Sequence, residues 1–264
     1  MNEDQTALRL SVSKCKTFDD CNKKFYYTYI LKLPRKDHDY FTFGKFIHKV
    51  LEDFHAEILN GNKDELHLIM AKVYKAALPE YKPKMTTEAQ KEAYDMVDAY
   101  LKKISNEKAM IPSITSVEKT FSFNISDTVI LNGMIDRIQK DPDGMLHVCD
   151  YKTVKNKKYI KNDFFQLLTY AYVLYNEDPT IEKVRGSYIL LRHNFEYITK
   201  EFSREEIMAV KDKYEEYAKM IDEEKLYRPN PTYLCRFCDH VNICEQGRSI
   251  TKMDDNVKHG QVVW

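Results

Sequence analysis

The chain has 264 residues, 43% of them hydrophobic, enough for a sizeable core in one large domain or two small ones. Its 41 basic and 41 acidic residues cancel, which excludes a uniformly basic nucleic-acid coat and leaves local basic patches. No apolar run reaches membrane-spanning length, no apolar leader opens the sequence and no phosphate-cradling Gly-x-x-x-x-Gly-Lys-Ser/Thr loop occurs, so a soluble cytoplasmic protein without ATPase chemistry is expected.

Residues 11–31 mix lysines with Phe18, Phe25, Tyr26, Tyr27 and Tyr29, and Ser13 suits a helix N-cap. Residues 32–43 read as a loop. From Gly44 to about Asn60 an apolar face of Phe46, Ile47, Val50, Leu51, Phe54 and Ile58 predicts a helix. Two more helices are expected over 64–78 and 86–107, separated by Pro79-Glu80-Tyr81-Lys82-Pro83, and Pro112 closes the helical part. Strands are expected at 114–125, 128–139 and 145–151, then a lysine-rich stretch over 152–161. A helix from Asp163 to Asn176, strands near 184–192 and 195–200, and a long charged helix capped by Ser203 with Glu206 and reaching about Lys225 complete the pattern. One mixed α/β domain over 1–264 is expected: a helical section at 44–110, a core sheet at 111–200, and a cysteine region at 226–250 joined by Cys21.

The most informative segment is Gly133-Met134-Ile135-Asp136-Arg137, which runs through Asp141-Pro142-Asp143-Gly144 into Val148-Cys149-Asp150-Tyr151-Lys152. Pro142 and Asp143 suit the centre of a type I turn and Gly144 the left-handed residue after it. That loop pairs Asp141 with Met145 and sets Asp136 opposite Asp150, with Cβ atoms about 5 Å apart. Lys152 points to the same face, and Cys149 to the other. Opposed like charges cost stability unless a cation lies between them. Mg²⁺ or Mn²⁺ fits, held by Asp136, Asp150 and the Tyr151 carbonyl, with His48 of the 44–60 helix, one turn before Glu52, favouring Mn²⁺. Lys152 would orient a water or steady a phosphate, which points to phosphodiester hydrolysis. Taken alone, the two acids read equally well as strand-end charges paired with Arg137 and Lys152.

Six cysteines suggest ligation over disulfides. Cys235, Cys238 and Cys244 form C-x-x-C-x-x-x-x-x-C, with Cys21 as the fourth candidate; four thiolates suit a [4Fe-4S] cluster or a structural zinc, and the distant single cysteine is less typical of zinc. Gln166 and Tyr170 lie one turn apart after Lys155, Lys157, Lys158 and Lys161. They read as a phosphate-tracking surface with an aromatic for base stacking, or as an ordinary amphipathic helix behind a solvated loop.

Together these residues resemble the RecB-type branch of the PD-(D/E)XK nuclease superfamily, and within it the iron–sulfur members: the small CRISPR-associated nucleases, the AddB nuclease domain and the nuclease domain of the eukaryotic replication helicase-nuclease. The resemblance spans nearly the whole chain. It is carried by Ser11-x-Ser13-Lys14 and Phe18-x-x-Cys21, by Gly44-x-x-x-His48-x-x-x-Glu52, by Gly133-x-Ile135-Asp136-Arg137, by Asp150-Tyr151-Lys152-Thr153, by Gln166-x-x-x-Tyr170, and by Cys235, Cys238 and Cys244. It implies a restriction-endonuclease-like core sheet flanked by helices, and catalysis by Asp136, Asp150 and Lys152. Metal would sit on His48, Asp136, Asp150 and Tyr151, DNA on Gln166, Tyr170, Lys155 and Lys158, and a structural [4Fe-4S] cluster on the four cysteines. The expected activity is Mg²⁺- or Mn²⁺-dependent hydrolysis of DNA, mainly from single-stranded ends, in recombination, repair or replication. A helicase or CRISPR adaptation proteins are the expected partners. Two other readings are an end-trimming nuclease of a CRISPR spacer-acquisition complex and a non-catalytic, zinc-stapled DNA-binding module. Glu118 stands open, as a further ligand or as a partner of Lys119.

Overall fold

The computed structural model describes residues 7–35, 39–106, 113–157, 160 and 163–258. The chain divides into two compact units, one of residues 1–36, 123–131 and 212–264, the other of residues 37–122 and 132–211.

The second unit holds most of the helical section and the sheet. Helices α3 (Asp39–Leu59), α4 (Leu66–Tyr81) and α5 (Thr87–Asn106) precede strands β2 (Ile114–Asn124), β3 (Val129–Lys140) and β4 (Leu146–Lys152). Helix α6 (Phe165–Glu177), strands β5 (Lys183–Leu190) and β6 (Glu196–Ser203) and the short helix α7 (Arg204–Met208) follow. The sheet runs β3-β4-β5-β6, with β2 paired to β3. β3–β4 and β5–β6 are antiparallel and β4–β5 is parallel, with α6 as the crossover between them. This is the expected mixed α/β fold, a sheet with helices packed on it. Its core joins Phe46, Val50 and Phe54 of α3, Val73 of α4 and Val97 and Tyr100 of α5 to Cys149, Tyr151 and Ile189 of the sheet. Those sheet residues are odd-numbered, so the even-numbered Asp150 and Lys152 point to the opposite face.

The first unit contains β1 (Leu8–Leu10), parallel to Val129–Leu131 at the start of β3, and helices α1 (Val12–Asp20) and α2 (Asn22–Phe25). A π-helical turn at Tyr26–Ile30, most of α8 (Val210–Glu223) and α9 (Glu245–Lys258) complete it. Four details differ from the sequence reading. The expected long helix after Ser203 is broken at Ala209 into α7 and α8. Ser11, not Ser13, caps α1 through Lys14 N–H at 3.3 Å. α3 starts at Asp39, inside the expected loop. α4 runs through Pro79 to Tyr81. Among the described residues no helix is long and apolar enough to cross a membrane.

Candidate active site

The β3–β4 turn forms as its residues dictate. Asp141 N–H donates to Met145 O at 2.9 Å, Gly144 N–H to Asp141 O at 2.8 Å, and Gly144 takes a φ of 86°. The ladder begins at Arg137↔Cys149, and one further step sets Asp136 against Asp150. There the Tyr151 amide donates to Asp136 Oδ2 at 2.8 Å, so the pairing opens into the site.

His48 enters from α3. Its Nε2 lies 3.1 Å from the Tyr151 carbonyl, which can only accept, so Nε2 carries the proton of that bond. Nδ1 then faces Asp136 Oδ2 at 3.4 Å. In a neutral imidazole both atoms offer lone pairs, and a proton or a metal cation must lie between them. Glu118 completes this group: single ligand atoms of His48, Glu118 and Asp136 lie within 4.8 Å of one another. Glu118 holds a φ of 44° inside β2, a left-handed backbone unusual for a non-glycine residue and of the kind that gathers at functional sites. Its neighbour Lys119 pairs with Glu177 at 2.6 Å, which leaves Glu118 to the site.

Burial pushes Asp136 upward, and the charge of Asp150 adds to it. Burial pushes Glu118 up to about 8, with Asp136, Glu52 and Asp150 contributing in that order. Carboxylates crowded in this way demand a cation. The donor set of carboxylate oxygens with one imidazole fits a divalent Mg²⁺ or Mn²⁺ ion.

Asp150 stands beside the trio. Its Oδ1 accepts from Gln166 Nε2 at 2.6 Å and from the Tyr170 hydroxyl at 3.4 Å. Its buried Oδ2 accepts no well-formed hydrogen bond, although Lys152 Nζ lies 2.6 Å away. Lys152 Nζ also donates to Gln166 Oε1 at 2.9 Å. Gln166 thus bridges the carboxylate and the lysine and fixes both. Tyr170 is 5% exposed and its hydroxyl accepts from Gln166 Nε2 at 2.8 Å. This corrects the base-stacking expectation: a ring enclosed by the core cannot receive a base, and Tyr170 braces Gln166 and Asp150.

A cleft of about 910 Å³ opens on His48, Glu118 and Glu52. Lys155, expected to contact DNA, lines it, and Lys158 lies outside the described residues. Lys45, Lys49 and Arg192 also line it, with Phe41 and Phe43. Nothing in the local sequence marks Arg192: Glu92 holds its Nε at 2.6 Å and its guanidinium stacks over Phe43, both tertiary contacts. Arg137 does not pair with the acids. It is fully buried on the other sheet face, among the hydroxyls of Tyr100, Tyr151 and Tyr197 at 3.4, 3.3 and 2.9 Å.

The four candidate cysteines all lie in the first unit and line one pocket with Tyr27 and His240. Cys21 Sγ accepts from the amides of Lys24 at 3.5 Å and Asn230 at 3.3 Å, and Cys235 Sγ from Thr232 at 3.4 Å. No three of these sulfurs gather within 4.8 Å of one another. Cys15 and Cys149 are buried thiols apart from them.

A profile of the PD-(D/E)XK nuclease superfamily matches residues 9–245. Three Streptococcus agalactiae proteins, of serotypes Ia, V and III, are 26% identical over 189 residues; each is named as a subunit of an ATP-dependent helicase/deoxyribonuclease. That match covers 67% of this chain but only 17% of theirs. A solved structure from Eubacterium rectale, named "Putative exonuclease", shares the fold with a TM-score of 0.53 at 12% identity, over 88% of this chain and 87% of its own. By the extent of the profile match, this chain belongs to the PD-(D/E)XK nuclease superfamily.

Proposed function

We propose that the chain is a metal-dependent deoxyribonuclease acting mainly as an exonuclease on single-stranded DNA ends. The observation that carries the reading is the meeting of His48, Glu118 and Asp136 within 4.8 Å, beside the Asp150–Lys152 pair. Asp136, Glu118 and His48, with Asp150 and the Tyr151 carbonyl at the rim, would hold Mg²⁺ or Mn²⁺. Such a cation lowers the pKa of a bound water and polarises a phosphate oxygen. Lys152 keeps a fixed positive charge where a phosphate or an attacking water is to be oriented, because Gln166 and Asp150 hold its ammonium group. Lys45, Lys49, Lys155 and Arg192 give the cleft the charge to take up a phosphodiester backbone. The names of the Streptococcus proteins support DNA as substrate and a helicase as partner; that of the Eubacterium protein supports attack at ends.

The same reading places a structural [4Fe-4S] cluster on Cys21, Cys235, Cys238 and Cys244. Amide donors at Cys21 and Cys235 suit thiolates. The trio Cys235, Cys238 and Cys244 with one distant cysteine is less typical of zinc than of such a cluster.

The test uses end-labelled linear and circular single-stranded DNA in Mg²⁺, Mn²⁺ or EDTA, with Asp150→Ala alongside. Metal-dependent loss of the linear strand, sparing of the circle and an inert variant are expected. Equal attack on circles would overturn the exonuclease assignment, and intact DNA in both metals would overturn the nuclease.

A further inference from the structure

The first unit carries a face that the proposed chemistry leaves unused. Residues 14–35 hold Lys14, Lys16, Lys23, Lys24, Lys32 and Arg35 against only Asp19 and Asp20, in a chain whose charges cancel overall. Within this basic segment the π-helical turn Tyr26–Ile30 presents Tyr26, Tyr27 and Tyr29, each half-buried. Cations lie over these rings. Lys14 Nζ is 5.5 Å from the centre of Tyr29, Lys23 Nζ is 5.4 Å from both Tyr26 and Tyr27, and the Arg35 guanidinium is 5.4 Å from Tyr29. A packed core would bury such rings against carbon; here they are half open and flanked by ammonium and guanidinium groups.

The backbone points the same way. π-Helical turns are rare and cluster at functional sites. Five described non-glycine residues have positive φ. Asn194 and Phe195 belong to the β5–β6 turn and Glu118 to the metal trio. The remaining two, Lys32 at 52° and Tyr227 at 45°, both belong to this face. For a bulky residue such a backbone is strained and persists only where its surroundings impose it. Glu224 imposes it on Tyr227, accepting its amide at 2.8 Å. The result lays the Tyr227 ring 4.7 Å from Tyr26, adding another aromatic to the row.

We propose that this face is a binding site for single-stranded DNA, with bases stacking on Tyr26 and Tyr29 and phosphates meeting Lys23 and Arg35. Alternating rings and cations match a polymer of alternating bases and phosphates, and they tolerate any sequence because every base has a stacking face. The choice of DNA rests on the nuclease reading.

The test measures anisotropy of a labelled oligothymidylate of about 30 nucleotides in EDTA, across a salt series. Lys23→Gln with Arg35→Gln should weaken binding and flatten the log–log salt slope by about 1.4, roughly 0.7 for each lost phosphate contact. Tyr26→Leu with Tyr29→Leu should weaken binding about five-fold or more while keeping the slope. Crosslinking of bromodeoxyuridine-substituted DNA to Tyr26 or Tyr29 in the unaltered protein gives a readout independent of how the variants fold. Unchanged affinity in the charge variant, or crosslinks confined to the cleft, would overturn the proposal while cleavage by the unaltered protein keeps the nuclease reading. Losses equal for heparin and DNA, with no effect of the tyrosine variant, would also overturn it, as a general polyanion contact. Binding lost as expected in a protein that cleaves nothing would keep this site and remove the nuclease.

Discussion

Glu118, pushed up to about 8 by burial and by the acids around it, keeps its proton where an ordinary carboxyl has lost it. Between the usual carboxylate range and about pH 8 the folded, metal-free protein therefore binds more protons than the unfolded chain, and stability falls as pH rises through that window. The melting temperature in EDTA should drop on that rise. The drop should shrink in Glu118→Gln and on adding Mn²⁺, and persist in part because Asp136 is raised too. An identical pH dependence in Glu118→Gln would show that another group titrates. Arg137 poses the opposite problem, a fully buried cation held by three tyrosine hydroxyls, with no carboxylate of the described residues on it. Arg137→Met removes the charge and the Arg137 hydrogen bond from each of those hydroxyls, at a cost of about 1–3 kcal/mol in a urea titration. No change in the midpoint would mean that the hydroxyls find other partners. Of the candidate site residues, the placement of Asp136, Asp150 and Lys152 on one face is legible in the sequence because strand alternation and one turn decide it. Glu118 is not, because a left-handed position within β2 breaks the alternation that sequence reading relies on.

Among elements, those governed by short-range chemistry match their sequence signals. The hairpin at Asp141–Gly144 and the capping box of Ser203 with Glu206 form as read. The start of α3 at Asp39 does not match, because its apolar stripe begins only with Phe43 and the preceding turn propagates from a helix already nucleated. The role of α6 is also beyond the sequence: the spacing of Gln166 and Tyr170 puts them on one face without saying what that face meets. Gly186 decides it. A Cβ there would come within 2.9 Å of Leu167 Cβ and 2.6 Å of the Phe202 ring, so a bare backbone lets α6 close on β5 and carry Gln166 to Asp150. Gly186→Ala should cost about 1–3 kcal/mol and lower nuclease activity without touching a charged group. A variant of normal stability and activity would show that α6 has room to retreat.

At the scale of the molecule, the proposed metal site lies wholly in one compact unit and the four cysteines wholly in the other. The second unit is stabilised by its own sheet and helical core, whereas the first is assembled from both ends of the chain. Cys21 comes from the N-terminal part of that unit and Cys235, Cys238 and Cys244 from the C-terminal part. A group bound by all four would tie distant segments together and restrict the unfolded ensemble, as a cross-link across a very long loop does. Protein purified without oxygen should then be yellow-brown, absorb near 400 nm and carry about four iron atoms. Cys21→Ser should lose the colour, and limited proteolysis should open the first unit at its α1–α2 and 229–244 segments before the sheet is attacked. Retention of full iron by Cys21→Ser would remove that residue from the ligand set. One zinc and no iron would overturn the cluster reading and leave a four-thiolate zinc in its place.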